Sequence, residues 1–225
     1  MPIIYQKHIG SHGILGIWRI TESVDELISM IKFTEEEQAI FDKFKVKSRQ
    51  AHWLSYRVMV RRLMGDDFEC NLVYDDNGKL QFKDKNYSIS VTHSGLFSGA
   101  IISKNHYVGI DIEKLGDRIN LLVDKFLHPE ELAFLPSENQ HQYLTVMWSA
   151  KEALYKLFGK SMVDFDRHII ISPFELDRQG SFHARIELED LRRDYQMNYE
   201  FSDDMEYILV YSVDEAILIS NNSKS

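Results

Sequence analysis

The sequence predicts an α+β protein: a pseudo-dimer of two similar α+β subdomains with the working site in the cleft between them. Three observations predict it. Helical and strand-like stretches are segregated along the chain instead of alternating regularly. Both halves read as a strand, then helices, then strands. The polar tripeptide Lys104-Asn105-His106 is a turn between two apolar strand-like runs, with no low-complexity linker, and divides the chain into 1–105 and 106–225. The 225 residues suit two tightly packed units of about 100 residues each.

In the first half, Ile14 to Ile20 reads as a short strand. A helix is expected from Thr21, with Val24, Leu27, Ile28 and Ile31 on one face. Thr34 and Glu37 form a capping-box pattern that opens a second helix through Phe44. A third runs from about Ser48 to Met64 and mixes apolar and basic positions. Asp75-Asp76-Asn77-Gly78 marks a turn, and strands are expected at Leu80–Phe82, Ser88–Thr92 and Leu96–Ser103. The second half restarts with a strand at Tyr107–Ile112. Helical segments follow near Asn120–Leu127, Pro129–Leu135 and Gln140–Phe158, the last closed by Gly159 at a C-cap position. Strands are expected at His168–Ile171, Phe182–Leu188, Met197–Phe201 and Tyr207–Val213, and Asn221–Ser225 reads as a frayed polar tail.

Hydrophobic residues make up 44% of the chain, enough for a sizeable core. The one cysteine, Cys70, excludes an internal disulfide and a Cys-rich zinc site. With no basic-then-apolar leader at the N-terminus, a reducing cytoplasm is the expected location. No run of about 18 apolar residues occurs, so no membrane span is expected. The net charge of −9 argues against nucleic-acid binding. The exception is local: Lys43, Lys45, Lys47, Arg49, Arg57, Arg61 and Arg62 fall in a stretch with no acidic residue, a pattern suited to a discrete small anion.

Three segments carry candidate chemistry. In Val108-Gly109-Ile110-Asp111-Ile112-Glu113 a strand would put Asp111 and Glu113 on one face. Neighbouring carboxylates repel unless a cation neutralises them, and oxygen-only ligands favour a hard ion such as magnesium. A solvated acidic edge strand explains this hexapeptide equally well. In Trp148 to Lys156 a helix would align Trp148, Glu152 and Lys156 on one face, offering a third carboxylate and a phosphate-binding cation. A surface Glu-Lys pair explains two of these residues but not the tryptophan. Ser90-Val91-Thr92-His93-Ser94-Gly95 ends a strand in hydroxyls, an imidazole and a glycine, groups that can hydrogen-bond phosphate. A structural role is the commoner one for a lone histidine. Phe126 to Leu132, with Pro129 early in a helix, is ordinary helix-start chemistry.

In their order, these segments closely resemble the larger, Sfp-type branch of the phosphopantetheinyl transferase superfamily. Gly109 to Glu113 matches its Gly-x-Asp-x-Glu strand, and Trp148 to Lys156 matches its Trp-x-x-Lys-Glu-(Ala/Ser)-x-x-Lys helix. Thr92-His93-Ser94 is similar to its Ser-His-Ser, and Phe126 to Glu131 to its Phe-x-x-x-Glu helix start. Arg49 to Leu63 resembles its basic helix and Gly78-Lys79 its Gly-Lys-Pro turn, with Leu80 in place of proline. The resemblance spans roughly residues 34–160 and leaves 1–33 unmatched.

The resemblance implies a holo-[acyl-carrier-protein] synthase, that is, a 4′-phosphopantetheinyl transferase. Such an enzyme moves phosphopantetheine from coenzyme A to a serine of an apo acyl or peptidyl carrier protein and releases adenosine 3′,5′-bisphosphate. It implies Mg²⁺ on Asp111, Glu113 and Glu152. It implies coenzyme A contacts from Lys45, Arg49, Lys79, Thr92, His93, Lys151 and Lys156. The serine proton would go to Glu152 first and Glu131 second. A monomer is expected, because two fused halves supply a whole cleft. A metal-dependent phosphohydrolase and an inactive carrier-binding module are the alternatives.

Overall fold

Each lobe lays one long helix against an antiparallel sheet. A computed structural model describes residues 3–11, 13–65, 68, 70–83, 86–159 and 163–217. The first lobe contains β1 (Ile3–Ile9), β2 (Gly13–Arg19), α1 (Val24–Ser29), α2 (Glu35–Phe41), α3 (Lys47–Met64), β3 (Leu72–Tyr74), β4 (Leu80–Phe82), β5 (Tyr87–Ser94) and β6 (Phe97–Lys104). The second contains β7 (His106–Lys114), a 3₁₀ turn at Asp117–Leu121, α4 (Val123–Phe126), α5 (Pro129–Leu132), α6 (Gln140–Phe158), α7 (Phe165–His168), β8 (Ile169–Ile171), β9 (Gln179–Leu188), β10 (Leu191–Phe201) and β11 (Tyr207–Ile217). The α+β class is the observed one. The sheets run β1-β2-β6-β5 and β7-β11-β10-β9-β8, with β3-β4 as a separate hairpin. Asn105, at φ 68°, makes the sharp turn by which the chain leaves one sheet and enters the other.

Three apolar clusters hold the molecule together. One lies beneath α3 in the first lobe, around Trp18, Leu54, Met59 and Ile102. One lies beneath α6 in the second, around Phe126, Met147, Leu154 and Ile208. The third joins the lobes: Leu15, Ile17, Phe97 and Ile101 pack on Val108, Ile110, Ile112 and Leu209.

The Thr34–Glu37 capping box forms as expected: Thr34 Oγ1 accepts from the Glu37 amide at 3.1 Å, and the Glu37 carboxylate accepts from the Thr34 amide at 3.2 Å. The first helix begins later than expected, because Ser23 and not Thr21 supplies the cap, with Glu26 completing the box. The segment near Asn120–Leu127 divides into a 3₁₀ turn and α4, and the helix at Pro129 ends at Leu132. Strands β1 and β3 were not expected; β1 alternates between half-buried and exposed positions, and its Gln6, Lys7 and His8 dilute the apolar signal. The tail expected to fray, Asn221–Ser225, lies outside the described residues. Among the described residues no helix is long and apolar enough to cross a membrane.

Two features set the site. First, α6 approaches β7 very closely at Gly109, where an added Cβ would sit 2.0 Å from the Ala153 carbonyl oxygen. Second, β5 and β7 are edge strands of different sheets that run parallel along the lobe boundary. They are joined by side chains: the Ser88, Ser90, Thr92 and Ser94 hydroxyls accept from the amides of Val108, Ile110, Ile112 and Lys114 at 3.3, 3.2, 3.2 and 3.2 Å. The period of two on both strands makes each rung repeat.

Candidate active site

A cleft of about 480 Å³ opens at the C-terminal end of this seam. Phe44, Trp53, Tyr56 and Tyr74 of the first lobe form an aromatic wall, with Arg49 and His52 beside them. Thr92, His93, Asp111, Glu113, Glu152 and Lys156 form the polar side. The alternation along β7 puts Asp111 and Glu113 on one face, and α6 brings Glu152 and Lys156 over it.

Each carboxylate has a distinct setting. Asp111 is buried; its Oδ1 accepts from Lys156 Nζ at 2.7 Å and from Thr92 Oγ1 at 2.9 Å. Its Oδ2 is buried with no hydrogen-bond partner among the described residues. Glu113 is held at both oxygens, Oε2 by Ser94 Oγ at 3.0 Å and Oε1 by Trp148 Nε1 at 3.2 Å. Burial, reinforced by the charge of Asp111, raises the Glu113 pKa above the ordinary carboxylate range. Burial also raises that of Glu152; Lys156 opposes the shift, and Asp111 and Glu113 add to it. As the side chains stand, no three Asp, Glu, His or Cys among the described residues converge tightly enough to hold a metal ion. Lys156 sits against Asp111 instead.

The cations divide into those that reach the cleft and those that do not. Lys156 lies in it and also donates to Thr92 Oγ1 and the Ile110 carbonyl. His93 stacks on His52 with ring centroids 4.4 Å apart and planes 1° from parallel, and His52 Nε2 donates to the Gly95 carbonyl at 2.8 Å. Burial, then His52 and Lys156, lower the His93 pKa. Arg49 is exposed at the rim, with its guanidinium over Phe44. Lys79 lines an adjoining cavity of about 280 Å³ that shares Lys156 with the cleft, and its Nζ donates to the Leu157 carbonyl at 3.3 Å. Burial lowers its pKa. Lys45 is exposed and lines neither cavity.

Several expectations need correction. Lys151 does not reach the cleft; it is 0% exposed and pairs with Glu131, also 0% exposed, at 2.7 Å. Its ammonium also donates to the carbonyls of Phe126, Phe165 and Ile169, while Glu131 accepts from the His128 and Ile171 amides. This buried cluster ties α4, α5 and β8 to α6, so Lys151 meets no coenzyme A phosphate and Glu131 meets no carrier serine. Thr92, by contrast, lines the cleft, its hydroxyl donating to Asp111 and accepting from Lys156 and the Ile112 amide. Arg57, part of the basic stretch, is fully buried against Glu37 and Tyr56. Sequence reasoning missed the roles of Ser94, Trp148 and His52. Trp148 left a signal: its place on the Glu152 face, which a surface ion pair does not explain.

The carboxylate side of the cleft lies within a segment that resembles a known family. Residues 107–211 match the family model described as the 4′-phosphopantetheinyl transferase superfamily. The chain is 26% identical over 156 residues to the 4′-phosphopantetheinyl transferase gsp of Aneurinibacillus migulanus, covering 64% of this chain and 61% of that one. It is 24% identical over 142 residues to a Synechocystis sp. protein whose name gives it the same activity provisionally, covering 57% of this chain and 58% of that one. The chain therefore spans about three fifths of the length of the curated relatives it matches. Residues 107–211, the segment similar to the 4′-phosphopantetheinyl transferase superfamily, hold nearly all of β7, the whole of α6 and all three cleft carboxylates, Asp111, Glu113 and Glu152.

Proposed function

We propose that the chain is a magnesium-dependent 4′-phosphopantetheinyl transferase whose cleft lies between subdomains 1–105 and 106–225. It takes coenzyme A as donor and the serine of an apo acyl or peptidyl carrier protein as acceptor. The observation that carries this reading is the buried Asp111 Oδ2, unpartnered among the described residues, in a cleft with two further carboxylates, inside the segment that matches the superfamily. An orphaned buried carboxylate oxygen is costly unless something binds it. The donor set is all oxygen, which suits a hard divalent ion. Asp111, Glu113 and Glu152 would hold Mg²⁺, with Lys156 releasing Asp111 to meet a phosphate. When bound, the ion neutralises charge on the pyrophosphate and its leaving group.

The chain's own residues do the rest. Lys156, His93 and Arg49 face the cleft and Lys79 the cavity beside it, so they bind the anionic parts of coenzyme A. The aromatic wall offers an apolar surface to its adenine. Glu152 is the cleft carboxylate that accepts no hydrogen bond among the described residues, which leaves an oxygen open to the serine or to a water beside it. It therefore takes the serine proton as the serine oxygen bonds to phosphorus and the bond to adenosine 3′,5′-bisphosphate breaks. A monomer in the cytoplasm goes with this reading.

The test is to incubate the full chain with coenzyme A, Mg²⁺ and a panel of apo-carriers. A carrier that gains the mass of one phosphopantetheine supports it. Hydrolysed coenzyme A with unmodified carriers overturns it in favour of a phosphohydrolase. Asp111→Ala should lower transfer on the order of 10³-fold, several kcal/mol of lost stabilisation, with the circular-dichroism spectrum unchanged.

A further inference from the structure

The hydroxyl seam between β5 and β7 repeats four times, but only its last two rungs touch carboxylates. Every rung oxygen accepts from a β7 amide, which can only donate, so the hydroxyl's single hydrogen remains to be placed. At Ser88 and Ser90 no hydrogen bond to a carboxylate forms among the described residues; the residue before the bonded amide is Tyr107 in one case and Gly109 in the other. At Thr92 and Ser94 the corresponding residues are Asp111 and Glu113, and the hydrogens point to Asp111 Oδ1 and Glu113 Oε2. The same period of two that joins the lobes therefore delivers one hydroxyl to each carboxylate.

Glu113 is the more tightly held of the two. Ser94 and the Trp148 indole are both neutral donors, one to each oxygen. Neutral donors fix a carboxylate's orientation without cancelling its charge, and each oxygen keeps a lone pair. Resting on the transferase reading above, we infer that Ser94 and Trp148 are positioning residues that clamp Glu113 for a divalent cation, so that the lobe seam and the cation site are one device. Neither residue touches the coenzyme or the reacting phosphorus; both act through Glu113.

Direct Mn²⁺ binding to the full chain, read from the paramagnetic resonance of free Mn²⁺ with no substrate present, tests this. Ser94→Ala and Trp148→Phe should each weaken binding about 10- to 100-fold, and Ser94→Thr, which keeps the hydroxyl, should stay within about threefold of wild type. Ser88→Ala removes a rung far from the carboxylates; it should unfold earlier in urea yet bind Mn²⁺ as wild type does. Wild-type affinity in Ser94→Ala and Trp148→Phe overturns the positioning role and leaves the transferase reading standing. Equal weakening in Ser88→Ala and Ser94→Ala also overturns it, since the seam would then act only as a structural joint. A wild-type chain that transfers phosphopantetheine but binds no Mn²⁺, with or without coenzyme A present, overturns both the clamp and the metal assignment.

Discussion

Between Lys151 and Glu152 the helix turns by about 100°, and that turn decides what each residue can do. Glu152 faces the cleft, whereas Lys151 goes inward to Glu131 and three carbonyls. Burial lowers the Lys151 pKa, and Glu131 opposes the shift. Lys151→Met or Glu131→Gln should each cost about 3–5 kcal/mol in urea unfolding, because the remaining partner is left buried and uncompensated. The double variant Lys151→Met/Glu131→Leu should not recover as simple buried ion pairs often do. It strands the carbonyls of Phe126, Phe165 and Ile169 and the amides of His128 and Ile171. The direction of Lys151 was legible in principle: Met147 and Leu154, one turn away on either side, are core residues. The motif that groups Lys151 with Glu152 hid that signal. Asp111 and Glu113 were readable because a strand's period of two is unambiguous.

At the scale of elements, the contact between α6 and β7 depends on Gly109. An alanine there would place its Cβ 2.0 Å from the Ala153 carbonyl oxygen and 2.8 Å from Leu157 Cβ, and the first of these neighbours is rigid backbone. Gly109→Ala should force α6 off the strand and cost about 1–3 kcal/mol or more by urea unfolding. Because Glu152 and Lys156 ride on α6, the same variant should weaken divalent-ion binding. The bounds of α6 were legible, with apolar periodicity up to Gly159, which caps the helix at φ 70°. Strands β1 and β3 were not: one is a partly exposed edge and the other has three residues. Both owe their conformation to pairing with β2 and β4 more than to a local pattern.

For the whole molecule, the joint between lobes sets both stability and its pH dependence. Ser90→Ala leaves the buried Ile110 amide unpaired and should cost about 1–3 kcal/mol, with faster hydrogen exchange at that amide. Glu113 and Glu152 have folded-state pKa values raised by burial, so the folded chain binds more protons than the unfolded one in the window above the ordinary carboxylate value. Stability should therefore fall as pH rises through their folded values. In thermal melts from about pH 5 to about pH 8, Mg²⁺ should raise the midpoint most at the alkaline end, where both groups are ionised, and least where protons compete. The seam itself was not legible in the sequence. The serines and threonine at 88, 90, 92 and 94 alternate plainly, but nothing local reveals that their partners are main-chain amides of the other lobe.

The register of β7 with β11 has a consequence for biosynthesis. Asp111 sits opposite Val210, so the strand that bears the carboxylates emerges from a ribosome long before its sheet neighbour. The first lobe's sheet is complete at Lys104, whereas β7 must wait with a naked hydrogen-bonding edge. Such an edge invites a second nascent chain to pair with it. Asp111 and Glu113 put like charges on every chain that offers this strand, and in-register copies would repel. The acidic pair of the cleft should therefore also disfavour in-register pairing between unfinished chains.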